Sequence, residues 1–131
     1  MINITNASIN LNESTEEEKK ISFLETFKNN EKLLSVNIQG LEDDYISVKT
    51  IEGLFEDSKK LVTVKICDSD KTENYINFKS HSELNFNRAF KNTKNLEYIK
   101  FGDDVNPLSM SECFNGSGIN EFYFLKEDNI C

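Results

Sequence analysis

The stretch Phe86-Asn-Arg-Ala-Phe90-Lys-Asn-Thr-Lys-Asn-Leu96-Glu-Tyr-Ile99-Lys-Phe101 decides how this chain is read. Phe86 and Phe90 stand at helical spacing. Six residues on comes Leu96, and Ile99 and Phe101 follow at strand spacing. A helical period, a polar turn and a strand period in succession make one supersecondary unit.

The same spacing recurs. Phe27, Leu33, Val36 and Ile38 match Phe90, Leu96, Ile99 and Phe101, and so do Phe55, Leu61, Val64 and Ile66. A copy one residue shorter in the turn runs Phe114, Ile119, Phe122, Phe124. Four residues before each anchoring Phe sits Phe23, Ile51, Phe86 or Met110. Immediately before it sits Thr26, Leu54, Ala89 or Cys113. The anchors lie 28, 35 and 24 residues apart, which is the scale of a solenoid coil.

The fold expected is therefore α/β: a short leucine-rich-repeat-like solenoid of about four helix-turn-strand coils with a parallel sheet. Its strands are Ser35–Gln39, Thr63–Cys67, Tyr98–Gly102 and Glu121–Leu125. One domain spans 1–131, with the coils in 21–125 and a tail at 126–131. Residues 2–11 read as a strand. Ser14-Thr15-Glu16-Glu17-Glu18 holds two overlapping capping boxes, which start a helix over about Thr15–Lys28 that caps the N-terminal end. The long connection Cys67–Ser82 contains Tyr75-Ile76-Asn77-Phe78, a candidate for one more short strand.

Leu-x-x-Val-x-Ile strands preceded by a Phe and a five-residue turn resemble the BspA-like leucine-rich repeats of bacterial surface proteins. Val48-Lys-Thr-Ile51-Glu-Gly-Leu54-Phe55 carries the resemblance best, and Asn106-Pro-Leu108-Ser-Met110-Ser-Glu-Cys113-Phe114 is a looser copy. The resemblance implies a non-enzymatic recognition or scaffold module.

Composition narrows the partners. A net charge of −8 and a pI near 4.7 disfavour nucleic acid and anionic membranes. No apolar run is long enough for membrane insertion as a helix. No signal peptide is visible, so cytoplasmic synthesis is expected, with a virion or tail-like particle as the alternative location. Cys67, Cys113 and Cys131 lack metal-ligand spacing and read as free thiols.

Chemistry-bearing patterns are weak. His81 sits beside Ser80 and Ser82 without a nucleophile turn. Asp68-Ser-Asp70-Lys-Thr72 opens like a calcium loop but fails at Glu73 and Lys79. Gly116-Ser117-Gly118 lacks the rest of a phosphate loop. Cys113 occupies a core position. No cofactor, metal or catalytic residue is expected.

Function is expected on the outward strand face. Ser35, Thr63, Tyr98 and Glu121 form one outward column, and Asn37, Lys65, Lys100 and Tyr123 the next. Lys65, Tyr98, Lys100, Glu121, Tyr123 and Leu125 are the candidate protein-binding residues. The alternative is a structural subunit of a phage tail or phage-tail-like particle. It would dock through an uncapped C-terminal edge at Phe122–Leu125, as an oligomer or within a complex.

Overall fold

The computed structural model describes residues 5–11, 17–41, 45–67 and 74–124. The described residues form nine strands and no α-helix. They are β1 (Asn6–Asn10), β2 (Lys19–Ser22), β3 (Ser35–Gln39), β4 (Ile46–Thr50), β5 (Thr63–Ile66), β6 (Tyr75–Ile76), β7 (Ser80–Asn85), β8 (Tyr98–Phe101) and β9 (Glu121–Phe124). The larger sheet runs β1-β3-β5-β6-β8-β9 and the smaller β2-β4-β7, with parallel pairing throughout.

The expected α/β class is thus overturned in favour of an all-β architecture. The larger sheet contains the strand positions read from the spacing: Val36 pairs with Val64, and Ile99 with Phe122. The expected helices are absent from the described residues. The segment expected to be a helical cap over Thr15–Lys28 holds β2 and then turns over 24–29 in its described part. Residues 12–16 lie outside the described residues, as does the first part of the strand expected over 2–11.

What stands in place of each helix is a run of overlapping turns at 24–29, 52–57, 87–92 and 111–116. Their amides alternate between two kinds of partner. Thr26 and Lys28 donate back three residues, to Phe23 O and Glu25 O. Glu25, Phe27 and Asn29 donate instead to Glu52 O, Leu54 O and Glu56 O of the next coil. The next two steps repeat this: Gly53, Phe55 and Asp57 donate to Asn87, Ala89 and Lys91, then Arg88, Phe90 and Asn92 to Ser111, Cys113 and Asn115. Two residues four apart in every coil adopt positive φ: Glu25 and Asn29, Gly53 and Asp57, Arg88 and Asn92, Glu112 and Gly116. A right-handed helix forbids this conformation.

The physical reason for the misreading is a degenerate pattern. A helix and this turn stack both send residues i, i+3 and i+4 inward. Ile51, Leu54 and Phe55, and Phe86, Ala89 and Phe90, are all fully buried. A helix as short as these runs is not stable alone, and the stacked turns gain inter-coil bonds that a helix would spend on itself. The two end coils depart from the pattern: Thr26 of the first is exposed, and Met110 and Phe114 of the last are half-buried.

The core lies between the two sheets and the turn stack. Val36, Ile38, Val64, Ile66, Ile99 and Phe101 enter from the larger sheet, Ile46, Val48 and Leu84 from the smaller. The anchoring Phe residues form a ring column, with centroids 6.0, 5.6 and 5.7 Å apart from Phe27 through Phe55 and Phe90 to Phe114. Burying each ring contributes about 1.5–3 kcal/mol.

Candidate functional site on the outward face

The first four outward candidates sit on the larger sheet as their strand phase requires. Tyr98 pairs in register with Glu121, and both are exposed. Lys65 and Lys100 are half-buried. They are not neighbours, because β6 separates them: Lys65 is opposite Tyr75, and Tyr75 opposite Lys100. Tyr123 is the register partner of Lys100. Leu125 lies outside the described residues.

Tyr75 is the residue the spacing missed. It occupies the outward column yet is 1% exposed, and its hydroxyl is buried without a hydrogen-bond partner. Burial, aided by Asp104 and Asp103, raises its phenol above the ordinary value. The Tyr-Ile pair at 75–76 was legible as a candidate strand, but its insertion between β5 and β8 was not.

β6 is two residues long, and residues 68–73, which lead into it, lie outside the described residues. Asn74 adds to its ladder. In a left-handed conformation (φ 56), it accepts the Val64 amide on Oδ1 at 2.8 Å and the Lys100 amide on its own carbonyl at 2.9 Å. Beyond Asn74, toward the strand starts, the face opens into a notch of about 500 Å³ lined by Val62, Thr63, Asn74, Lys94, Asn95, Glu97 and Tyr98. Val62 is 47% and Tyr98 37% exposed. Leu34, the predecessor of Val62 one coil back, is exposed too. A signal for these apolar rim residues was present: the doublets Leu33-Leu34 and Leu61-Val62 hold one apolar residue more than the core accepts.

Charges elsewhere are bound up in the scaffold. Arg88 reaches across Gly53 to Glu56 at 2.6 Å and Glu52 at 2.5 Å, and lies 3.7 Å from Glu25. Gly53 adopts φ +62, which favours glycine, and a Cβ there would stand 3.0 Å from Glu25 Cγ. Lys28 bonds Glu25 at 3.1 Å, and that bond holds the Glu25 carboxyl below its ordinary value. Lys91 does the same to Glu112.

The weak chemical patterns find these places. His81 lies in β7, half-buried, with Nδ1 accepting the Glu83 amide at 3.2 Å. It borders an open depression of about 600 Å³ with Lys79, Ser80, Ser82, Ser47 and Tyr45. Cys113 is buried and free, its thiol pushed up to about 12 by desolvation. Cys67, read as a free thiol, is disulfide-bonded and buried. Cys131 and the Asp68–Thr72 segment lie outside the described residues. Among the described residues no group of three or more His, Cys, Asp or Glu is arranged to hold a metal. Among the described residues no helix is long and apolar enough to cross a membrane.

Compared with family models, with curated proteins and with solved structures, the chain finds no match.

Proposed function

We propose that this protein is a non-enzymatic recognition module that binds another protein through the outward face of its larger sheet. The observation that carries the reading is the notch between β5 and β8, flanked by exposed Val62 and Tyr98 and edged by Lys94 and Glu97. An aromatic and an aliphatic side chain held in place around a concavity, with charges at the rim, form the arrangement that concentrates binding energy at protein interfaces. Lys65, Lys100 and Glu121 extend the same face along the sheet, with Tyr123 the register partner of Lys100.

Site-specific photo-crosslinking tests this. A photoreactive phenylalanine analogue at position 98 should give a discrete protein adduct in cells. The same analogue at Lys49, exposed on the smaller sheet, should not. Equal adducts from both positions, or none from position 98, would remove the face from consideration.

A second reading, a building block of an assembly such as a phage-tail-like particle, is favoured by the last coil. Met110, Phe114 and Ile119 are half-buried there, whereas the matching Phe86, Phe90 and Leu96 are fully buried. Sedimentation equilibrium discriminates. A monomer at about 100 µM, well above the Kd of a stable contact, would sink it.

A further inference from the structure

The turn stack has two unlike ends. Within the four turns, every backbone bond between coils runs one way, from an amide of one coil to a carbonyl of the next. The ladder therefore begins on carbonyls and finishes on amides. In the first turn the carbonyls of Leu24, Thr26 and Lys28 hold the places of Glu52 O, Leu54 O and Glu56 O, and they accept no bond among the described residues. In the last turn the amides of Glu112 and Gly116 hold the places of Glu25 and Asn29, and they donate none there. Both turns have the same backbone shape: φ is 51 and 60 at Glu25 and Asn29, and 54 and 74 at Glu112 and Gly116. The two rows thus fit each other as consecutive coils do.

Both ends are accessible. Leu24 is 52% exposed, and Glu25, Thr26 and Asn29 are exposed at one end, Ser111, Glu112, Asn115 and Gly116 at the other. Thr26 stands where Leu54, Ala89 and Cys113 are buried. Cys113 is buried with no described coil beyond it, so this position is covered by the coil before, and Thr26 has none. Met110 and Phe114 are half-buried where Phe86 and Phe90 are fully buried. Open rows of this kind are commonly blunted by charge or by proline. Here the charged side chains Glu25 and Glu112 are each turned onto a lysine of their own chain, Lys28 at 3.1 Å and Lys91 at 3.0 Å.

We propose that copies of this chain stack head to tail, the last turn of one copy seated on the first turn of the next. The Glu112 and Gly116 amides donate to Leu24 O and Lys28 O of the neighbour, and its Leu24 and Thr26 are covered as Leu54 and Ala89 are covered within the chain. The two surfaces differ, so the contact is heterologous and repeats into a ring or a filament. This rests on the reading of the protein as a building block of an assembly, to which it gives the contact, and is independent of the outward face.

Sedimentation of the full chain and two end variants tests it, in about 300 mM salt so that repulsion between copies of net charge −8 is screened. Leu24→Glu with Thr26→Glu blocks the first turn. Ser111→Glu blocks the last: at the matching position Asn87 sends Oδ1 to the Ser111 amide of the next coil at 2.7 Å, so a side chain at 111 points past the end. The unaltered chain should pass from monomer to larger species between about 1 and 100 µM. Each variant, with its thermal transition retained, should stay monomeric at about 100 µM, at least about tenfold above the concentration at which the unaltered chain assembles. Mixed in equal amounts, the two variants should form a dimer and nothing larger, because a single pair of open ends remains. Thr26→Lys and Ser111→Lys replace either variant that loses its thermal transition. Assembly of either variant alone, or no dimer in the mixture, overturns the inference. A chain that associates whichever end is altered discards the head-to-tail stack and keeps the assembly reading; a monomer throughout discards both.

Discussion

At the scale of the residue, the shortened turn of the last coil is the sharpest case. Phe114 and Ile119 are one residue closer than their counterparts, and Gly118 absorbs the difference. Its amide donates to Thr93 O at 3.0 Å, and a Cβ would stand 2.1 Å from Lys94 O. Backbone against backbone has no side chain to swing aside. Gly118→Ala should therefore destabilise the fold by about 1–3 kcal/mol, read from the urea midpoint; an unchanged midpoint would contradict the close approach. Cys113 gives a second residue-scale outcome. With its thiol pushed up to about 12 and its side chain buried, it should resist iodoacetamide at pH 8 in the folded protein and react in denaturant. Peptide mapping at Cys113 alone distinguishes the two states.

At the scale of the element, Asn74 stands in for a strand residue. Asn74→Ala leaves the Val64 amide without its acceptor and should cost about 1–3 kcal/mol. Asn74→Asp retains an acceptor oxygen and should cost less, so the ranking of the two unfolding midpoints is the measurement. The turn stack is the element that spacing could not distinguish from a helix. The pairs Asn29 and Asp57, Asn92 and Gly116 were the visible hint, since Asn, Asp and Gly are the residues that tolerate positive φ most readily. Glu25, Arg88 and Glu112 hid the second such position, because nothing in a Glu or an Arg announces a left-handed conformation. The smaller sheet was illegible for a related reason: Lys19–Ser22 and Ser80–Asn85 carry few core residues, and their pairing with β4 slips in register.

At the scale of the whole molecule, the carboxylates on the turn stack tie coils together and set the acid limit of stability. Glu25 is lowered by Lys28, and Glu112 by Lys91 and Asn115, from an ordinary value of 4.5. A carboxyl lowered on folding stabilises the native state above its unfolded value. That contribution disappears as pH falls through the folded value. The melting temperature should therefore hold from pH 7 to about 5 and fall once the pH passes below 4.5. Glu25→Gln with Glu112→Gln should flatten that fall, and an identical acid profile in the double variant would show that other groups govern it. Of the candidate site, the outward phase of Tyr98, Lys65 and Lys100 was legible because strand side chains alternate. The notch was not, because it is lined by residues of separate coils, Val62 and Thr63 with Lys94 to Tyr98, that only the fold brings together.

By itself the sequence determined the buried positions of β3, β5 and β8 and the anchors Phe27, Phe55 and Phe90, because apolar spacing reports the face that turns away from water whatever the backbone does. Only the tertiary structure decided that the turns are a hydrogen-bonded stack rather than helices, since the choice rests on bonds between residues 23 to 34 positions apart. It decided as well that β6 enters the larger sheet and separates Lys65 from Lys100. Val62 and Tyr98, thirty-six positions apart in the chain, are thereby brought to the rim of one notch.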